Sequence, residues 1–111
     1  MRKSRAVTKY VRISPRKARY AAALIRNLPV TDAGTQLQYC NLKGGKLLRK
    51  TLNSAIANAE VSLDVRPENL KVVEVRIDEG PTLKRAKPKN RGGRVPIMKR
   101  TSHFTVVVGC E

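Results

Sequence analysis

Side chains that could carry out catalysis are few and widely separated in this sequence. His103 is the single histidine, and no carboxylate lies at a spacing from it that suggests an acid/base pair. The adjacent acids Asp78 and Glu79 alternate on a predicted strand, so they should point to opposite faces and pair with neighbouring Lys or Arg. Gly92 and Gly93 form no phosphate-loop motif, because nothing helical follows them. The sequence therefore predicts no enzymatic activity.

The two cysteines, Cys40 and Cys110, match no zinc or redox motif in their spacing. We expect one on a helix face and the other near the end of the chain, as free thiols rather than a disulfide. No metal and no other cofactor is predicted.

Basic side chains give the strongest chemical signal. The chain carries 24 Lys or Arg and 8 Asp or Glu, for a net charge of +16. Residues 1–26 hold nine basic and no acidic residues, and residues 84–111 hold eight basic and one acidic. Residues 27–83 are balanced, with seven of each. A compact state with this charge repels itself unless an anion neutralises it, so two polyanion-contacting surfaces are predicted.

The second basic segment lies between two strand-like flanks. Residues 83–100 read LKRAKPKNRGGRVPIMKR, with eight basic residues and no acid. A hairpin turn is predicted near residues 90–93, because glycines suit such turns. Each limb then runs for roughly ten residues, or about 30 Å. We interpret residues 80–102 as an extended basic arm that orders against a polyanion, although a flexible charged loop is the simpler alternative.

The first basic segment contains a helix start. Ser14 suits an N-cap and Pro15 the first helical position. Arg16 and Lys17 then fall in the first turn, where the helix dipole disfavours cations. Backbone N–H groups and two cations at one place predict a phosphate site, the alternative being a solvated helix end.

Hydrophobic spacing predicts the helices. The first runs from Ser14 to about Leu28, and the second is capped by Thr31 or Asp32. The second helix should turn its apolar positions inward, namely Ala33, Leu37 and Cys40. Gly44 and Gly45 break the pattern, and a third helix is predicted over residues 46–61.

Alternating residues predict strands at both ends of the chain. Residues 6–13 form the first strand, with one face made of Val7, Val11 and Ile13. Two later strands should turn their apolar residues inward, namely Val73, Val75 and Ile77 on one and Phe104, Val106 and Val108 on the other. We therefore predict a single domain of the α+β class, with three helices packed on a small antiparallel sheet.

Four segments occur in an order that identifies a family. They are SPRKARYAAALIR, LNSAIANAE, IDEGPTLKRAKP and KRTSHFTVVV. Together they closely resemble the bacterial-type large-subunit ribosomal protein twenty-two, over essentially the whole chain. The resemblance implies a structural protein that binds large-subunit ribosomal RNA and supports subunit assembly. It also implies a long β-hairpin whose tip lines the nascent-peptide exit tunnel.

The resemblance also implies partners and a location. The partners are large-subunit ribosomal RNA, the nascent peptide and neighbouring ribosomal proteins, including ribosomal protein four at the tunnel. The location is the cytoplasmic ribosome, or that of an organelle if one encodes the chain. The N-terminus lacks the apolar stretch of a signal peptide, and no run approaches the length of a membrane span, so no membrane partner is expected. No small-molecule substrate is expected either.

The side chains expected to contact ribosomal RNA are the basic residues of both segments and the histidine after the arm: Arg2, Lys3, Arg5, Arg12, Arg16, Lys17, Arg19, Lys84, Arg85, Lys87, Lys89, Arg91, Arg94, Lys99, Arg100 and His103. Thr101 and Ser102 are expected to contact RNA beside His103. The tip carried over by motif position is Lys87, Pro88, Lys89, Asn90, Arg91, Gly92, Gly93 and Arg94.

Two other classes of protein are weighed against this one. A basic DNA-compacting protein would bind any duplex with similar affinity. A secreted membrane-active peptide would need an apolar face on its basic stretches, and these have none.

Overall fold

The computed structural model describes residues 2–88 and 94–110, the side chains of residues 85–88 and 94–97 excepted. In chain order its elements are strand β1 (Arg2–Val11), helices α1 (Pro15–Ile25), α2 (Val30–Gln38) and α3 (Lys43–Leu63), a short 3-10 helix (Pro67–Asn69), and strands β2 (Lys71–Glu79), β3 (Leu83–Pro88), β4 (Arg94–Lys99) and β5 (Ser102–Cys110). The predicted α+β class, with three helices on an antiparallel sheet, is confirmed.

The strands form two separate sheets. In the first, β5 lies between β1 and β2 and is antiparallel to both. In the second, β3 pairs with β4 alone, as a ribbon. The chain measures 62 × 24 × 16 Å along its principal axes, so it is strongly elongated. The ribbon is called the arm below, and the helices with the three-stranded sheet are called the body.

The core lies between the helices and one face of the body sheet. Helix α3 packs across β1 and β5, and α1 packs against β2. From β5 the side chains of Phe104, Val106 and Val108 point into this layer and are fully buried, as predicted. Aromatics are scarce, so Leu, Val, Ile and Ala fill most of the remaining volume.

Strand β1 differs from its prediction in length and in inward face. It begins at Arg2, and its buried residue is Ala6, whereas Val7 is 46% exposed. The pairing with β5 is irregular between Thr8 and Val11, and Tyr10 there has a φ of 59°. This irregularity changes which side chains point inward, so the uniform face predicted from Val7 onward is wrong.

Strand β2 contains a similar irregularity. Its register against β5 shifts between Val72 and Glu74. Val72 is therefore fully buried, while Val73 is only half-buried. The prediction of Val75 and Ile77 as core residues is confirmed, and that of Val73 is wrong, because simple alternation cannot anticipate a bulge.

Helices α1 and α2 also differ from their predicted ends. Helix α1 stops at Ile25, before Leu28, and Asn27 follows with a φ of 62°. Helix α2 starts at Val30 with Pro29 as its N-cap, so neither Thr31 nor Asp32 caps it. Pro29 pairs with Lys71, and the Val30 N–H donates to the Leu70 carbonyl at 3.1 Å, which fixes this start. Cys40 lies beyond the end of α2 and is half-buried rather than part of its inward face.

Helix α3 includes the two glycines that were expected to precede it. A Cβ at Gly44 would lie 3.2 Å from the Ala18 Cα, and one at Gly45 would lie 2.9 Å from the Cys40 Cβ. The glycines therefore permit close contact of the first turn of α3 with α1 and with the preceding loop. Tertiary packing outweighs their poor helix propensity, and the helix starts three residues earlier than predicted.

Two glycine substitutions should move stability in opposite directions. At Gly34 in α2 an added Cβ meets nothing within 4 Å, so Gly34→Ala should stabilise the fold by about 0.5–1 kcal/mol through helix propensity. Gly45→Ala should destabilise it by about 1–3 kcal/mol, because the Cys40 Cβ must move. Urea unfolding of both variants checks this, and equal shifts of the two midpoints would contradict the packing argument.

Both cysteines are free thiols, with Cys110 buried in β5, as expected. Within residues 2–88 and 94–110, no group of His, Cys, Asp or Glu could hold a metal ion. In the same described residues, no helix is long and apolar enough to cross a membrane.

Candidate nucleic-acid interface

The arm is a ribbon of two strands whose pairing is regular as far as it is described. Its register runs from Leu83 opposite Lys99 to Pro88 opposite Arg94. The predicted turn, with Lys89, Asn90, Arg91, Gly92 and Gly93, lies outside the described residues. Of the other predicted tip residues, Lys87 and Pro88 are on β3 and Arg94 is on β4. The antiparallel pairing of β3 with β4 agrees with the predicted hairpin.

The root of the arm is fastened by hydrogen bonds inside the protein. The Gly80 N–H donates to the Thr101 carbonyl at 2.9 Å, and the Thr101 hydroxyl donates to the Pro81 carbonyl at 2.6 Å. The Ser102 hydroxyl donates to the Ile13 carbonyl at 2.7 Å. Thr101 and Ser102 are buried, so the expectation that they contact RNA is wrong. They fix where the arm leaves the body.

His103 has a structural contact that the sequence did not suggest. Its Nδ1 accepts the backbone N–H of Tyr10 at 3.1 Å, and the two rings meet edge to face, 5.0 Å apart. The histidine therefore supports the irregular turn of β1 at Tyr10. With Nδ1 as acceptor, Nε2 carries the proton of the neutral ring and remains a possible donor to RNA.

Beside the arm root, the N-termini of α1 and α3 meet at a groove. The groove has a volume of about 830 Å³ and is lined by Arg12, Ile13, Ser14, Lys17, Tyr20, Leu42, Lys43, Gly44, Met98, Lys99 and Arg100. Five of these residues are basic and none is acidic. Among the described side chains, none of the five basic ones forms an ion pair.

Both helix N-termini at this groove favour an anion. Neither α1 nor α3 has an acidic residue in its first turn. In α1, Ser14 accepts the Lys17 N–H at 3.4 Å, as the predicted cap, whereas no side chain caps α3. Lys17 and Lys43 place cations at the positive ends of two helix dipoles, an arrangement that is unfavourable until an anion binds.

The groove thus brings together two predicted RNA-binding residues of the body, Arg12 and Lys17, and two of the arm segment, Lys99 and Arg100. Arg16 is on the same turn of α1, and its Nε donates to the Tyr20 hydroxyl at 3.3 Å. Sequence reasoning missed Lys43, Tyr20, Leu42 and Met98. The signal for Lys43 was available: placing Gly44 and Gly45 inside α3 puts Lys43 in its first turn.

The cations of β1 lie at a second place. Arg2, Lys3 and Arg5 are all exposed on this strand, which is one edge of the body sheet. The Arg2 guanidinium donates to the Leu63 carbonyl at 3.4 Å. Arg2 also lines a cavity of about 630 Å³ with Arg66, Lys71 and Asp64. The predicted body residues therefore form two cationic areas rather than one.

Arg19 forms a hydrogen bond inside the protein, in addition to carrying a charge at the surface. Its Nη2 donates to the Ile77 carbonyl at 3.0 Å, and Arg26 Nη2 donates to the Val75 carbonyl at 3.2 Å. Strand β2 is the other edge of the sheet, so it has a strand partner on one side only. On the opposite edge, Asn58 of α3 donates to the Arg5 carbonyl at 3.1 Å. Helix side chains therefore protect both sheet edges.

Removing these donors should weaken the body. Arg19→Ala and Arg26→Ala should each destabilise the protein by about 1 kcal/mol, since each leaves a β2 carbonyl without its charged donor. Arg49→Ala on the exposed face of α3 is the matched control. Thermal unfolding measures all three, and an equal effect of the control would show that only net charge matters.

The acidic residues on β2 are partly neutralised within the strand. Arg76 pairs with Asp78 at 3.1 Å and with Glu74 at 4.0 Å. The expected ion pair of Asp78 is confirmed. The basic surfaces at the groove and on β1 keep their charge.

An elongated body-and-arm fold with these cationic surfaces invites comparison with known proteins. The family described as Ribosomal protein L22p/L17e matches residues 6–109. The chain belongs to this family. The large ribosomal subunit protein uL22 of Protochlamydia amoebophila is 73% identical over 105 residues, which cover 95% of each chain. Those of Chlamydia abortus and Chlamydia pneumoniae are 58% and 57% identical over the same share.

The comparisons confirm the resemblance that the sequence motifs indicated. The chain is a structural protein of the ribosome, and the prediction that it is not an enzyme is confirmed. The relatives named above are bacterial, so they lend no support to an organellar source.

Proposed function

We propose that the chain is a constituent of the large ribosomal subunit, binds large-subunit ribosomal RNA through its arm and body, and supports subunit assembly. The observation that carries this proposal is the separation of the arm from the body. A ribbon of two strands about 4.8 Å apart is thin enough to pass between RNA helices. Its basic side chains replace the counterions that closely packed phosphates would otherwise need.

The body contributes the second contact. The groove at the two helix N-termini and the exposed cations of β1 lie on elements fixed by the core. Phosphates bound there would set the orientation of the arm, because Gly80 and Thr101 fasten its root. Lys84, Arg85, Lys87, Lys89, Arg91 and Arg94 are proposed to contact phosphates farther along the arm.

The finer proposal concerns the tip. We infer that residues 87–94 line the exit tunnel, where they face ribosomal protein four and the nascent peptide. Family membership supports this placement, and so does a root geometry that points one narrow ribbon away from the body. The proposed location is the cytoplasmic ribosome.

Binding to RNA transcripts tests the first part. The protein should bind a large-subunit ribosomal RNA transcript more tightly than a small-subunit transcript or duplex DNA. Affinity should fall by about a thousandfold between about 50 and about 200 mM salt. Equal affinity for all three polyanions would instead support a general DNA-compacting protein.

Cross-linking tests the tip. A photoreactive side chain in place of Arg91 should cross-link to the nascent chain in stalled ribosomes. The same group in place of Glu68, which is exposed on the 3-10 helix of the body, is the control. Cross-links from the Glu68 position alone would contradict the proposed placement of the tip.

A further inference from the structure

The groove at the arm root contains exposed apolar side chains as well as cations. Tyr20 is 56% exposed, Met98 51% and Leu42 44%. Single exposed apolar residues are ordinary, but three that line one groove with a cationic rim indicate a binding site. Phosphate contact needs no apolar surface, so simple charge neutralisation does not account for them.

The apolar residues come from three separate elements. Tyr20 is on α1, Leu42 is the N-cap of α3, and Met98 is on β4. Arg16 Nε donates to the Tyr20 hydroxyl, which holds the ring on the outer side of α1. Tyr20 lines the groove and is not part of the core, so its ring is accessible to a ligand there.

Anion-binding groups lie beside this apolar surface. The first turn of α3 has no side-chain cap, and its Gly45 N–H donates to the Leu42 carbonyl at 3.1 Å. Within the described residues, the N–H groups of Lys43 and Gly44 have no hydrogen-bond partner. Lys17 and Lys43 flank the same point. A ligand that fits needs a flat apolar part for Tyr20 and an anionic part for the α3 N-terminus.

We propose that this groove binds a single unpaired nucleotide of RNA, with its base against Tyr20 and its phosphate at the N-terminus of α3. The inference rests on the proposed RNA-binding function and adds the structural class of RNA that is recognised. Unpaired bases are the parts of folded RNA that stack on aromatic side chains. A volume of about 830 Å³ falls within the range of small-ligand sites, about 300–1,000 Å³.

Paired RNA fits this groove less well. In a duplex the base faces are stacked on one another, so only the backbone and base edges could reach Tyr20, Leu42 and Met98. The other ligand chemistry that combines anionic and aromatic parts is an acidic peptide. Five cations and two helix N-termini suit a phosphate or a carboxylate equally. RNA is the proposed occupant because the chain belongs to a ribosomal protein family, and the acidic peptide is an outcome of the test.

The test uses the full chain and three short RNA hairpins. One carries a single bulged adenosine, one carries an abasic bulge at the same place, and one is fully paired. We expect the adenosine bulge to bind about tenfold more tightly than the other two. Tyr20→Ala should abolish this preference. Tyr39→Ala is the matched control, because Tyr39 is 77% exposed and lies outside the groove.

Tyrosine fluorescence provides a second readout, because the chain has no tryptophan. A variant with Tyr10→Phe and Tyr39→Phe leaves Tyr20 as the single tyrosine. Its emission should be quenched by the bulged hairpin and much less by the paired one. Quenching requires the base to contact the ring, so a purely structural role of Tyr20 would not produce it.

Each result decides a different part of the account. A preference that survives Tyr20→Ala, or no preference in the wild-type protein that still binds RNA, would overturn the inference alone. Tyr20-dependent binding of a Glu-Phe peptide without the bulge preference would show a protein-docking groove instead. Failure to bind any hairpin or the large-subunit transcript would overturn the proposed function as well.

Discussion

Removal of the arm should abolish tight RNA binding and leave the body folded. In the proposed variant, residues 84–100 are deleted and Leu83 is joined to Thr101 by Asn-Gly. These ends lie close, because Leu83 pairs with Lys99, and Asn-Gly favours the tight turn that two antiparallel strands need. Of the deleted residues whose side chains are described, Lys84 and 98–100, none belongs to the buried core.

The expected loss of binding is large because the deletion removes eight of the 24 basic residues. Affinity for the large-subunit transcript at low salt should fall by roughly a thousandfold, and the salt dependence should become shallower. The matched control keeps the full length and replaces the eight basic residues of the arm with Gln. A similar loss in this control would assign the effect to charge rather than to shape.

Thermal unfolding checks the other half of this prediction. The shortened protein should keep one cooperative transition. Its disappearance would show that the body depends on the arm, which would contradict the separation of the two sheets.

Replacement of Phe104 should cause the largest loss of stability from a single residue. Phe104 is the one phenylalanine in the chain and is fully buried in β5 between the helices and the sheet. Phe104→Ala should destabilise the fold by about 3–5 kcal/mol through lost burial and the cavity left behind. At the low end of ordinary domain stability, about 5 kcal/mol, this loss would leave the fold barely stable.

Urea denaturation measures this effect, with two controls. Phe104→Leu keeps most of the volume and should cost much less. Val61→Ala changes a side chain that is 86% exposed, so it should have almost no effect. A loss below about 1 kcal/mol for Phe104→Ala would contradict the place of Phe104 at the centre of the core.

The elements that sequence reasoning predicted well have strong periodic signals. The apolar side of α3, the Ser14 cap of α1 and the inward residues Phe104, Val106 and Val108 of β5 follow local rules, and the structure keeps them. The arm could also be predicted, because eight basic residues without an acid are incompatible with a buried strand pair.

The predictions that were wrong concern residues whose structure depends on contacts between distant segments of the chain. Gly44 and Gly45 are helical because α1 and the α2–α3 loop approach them closely, which helix propensity does not contain. The alternation of inward and outward residues breaks at Val73 and at Tyr10. At each place the strand pairs with β5 before and after the irregularity, and the register shifts between the two paired stretches. Thr101 and Ser102 are polar in the sequence but buried, since carbonyls from elsewhere accept their hydroxyl hydrogens.

For the candidate site too, local sequence signals could be predicted, whereas contacts between distant segments could not. Charge alone predicted Arg12, Lys17, Lys99 and Arg100 as RNA-binding residues, but not that they would surround one groove. The structure brings them together because the N-terminus of α3 packs against α1 beside the root of the arm. The three apolar residues of the groove were not predicted, because they lie on three separate segments that only the fold brings together.

The central claim is that the chain is an integral part of the large ribosomal subunit. Sedimentation of the tagged protein from a cell lysate through a sucrose gradient, after a high-salt wash, tests it most directly. The account predicts stoichiometric recovery with the large subunit, because an arm enclosed by folded RNA stays in place even when salt weakens its phosphate contacts. Recovery at the top of the gradient, or with nucleoid DNA, would contradict it and show that the chain is held by charge alone.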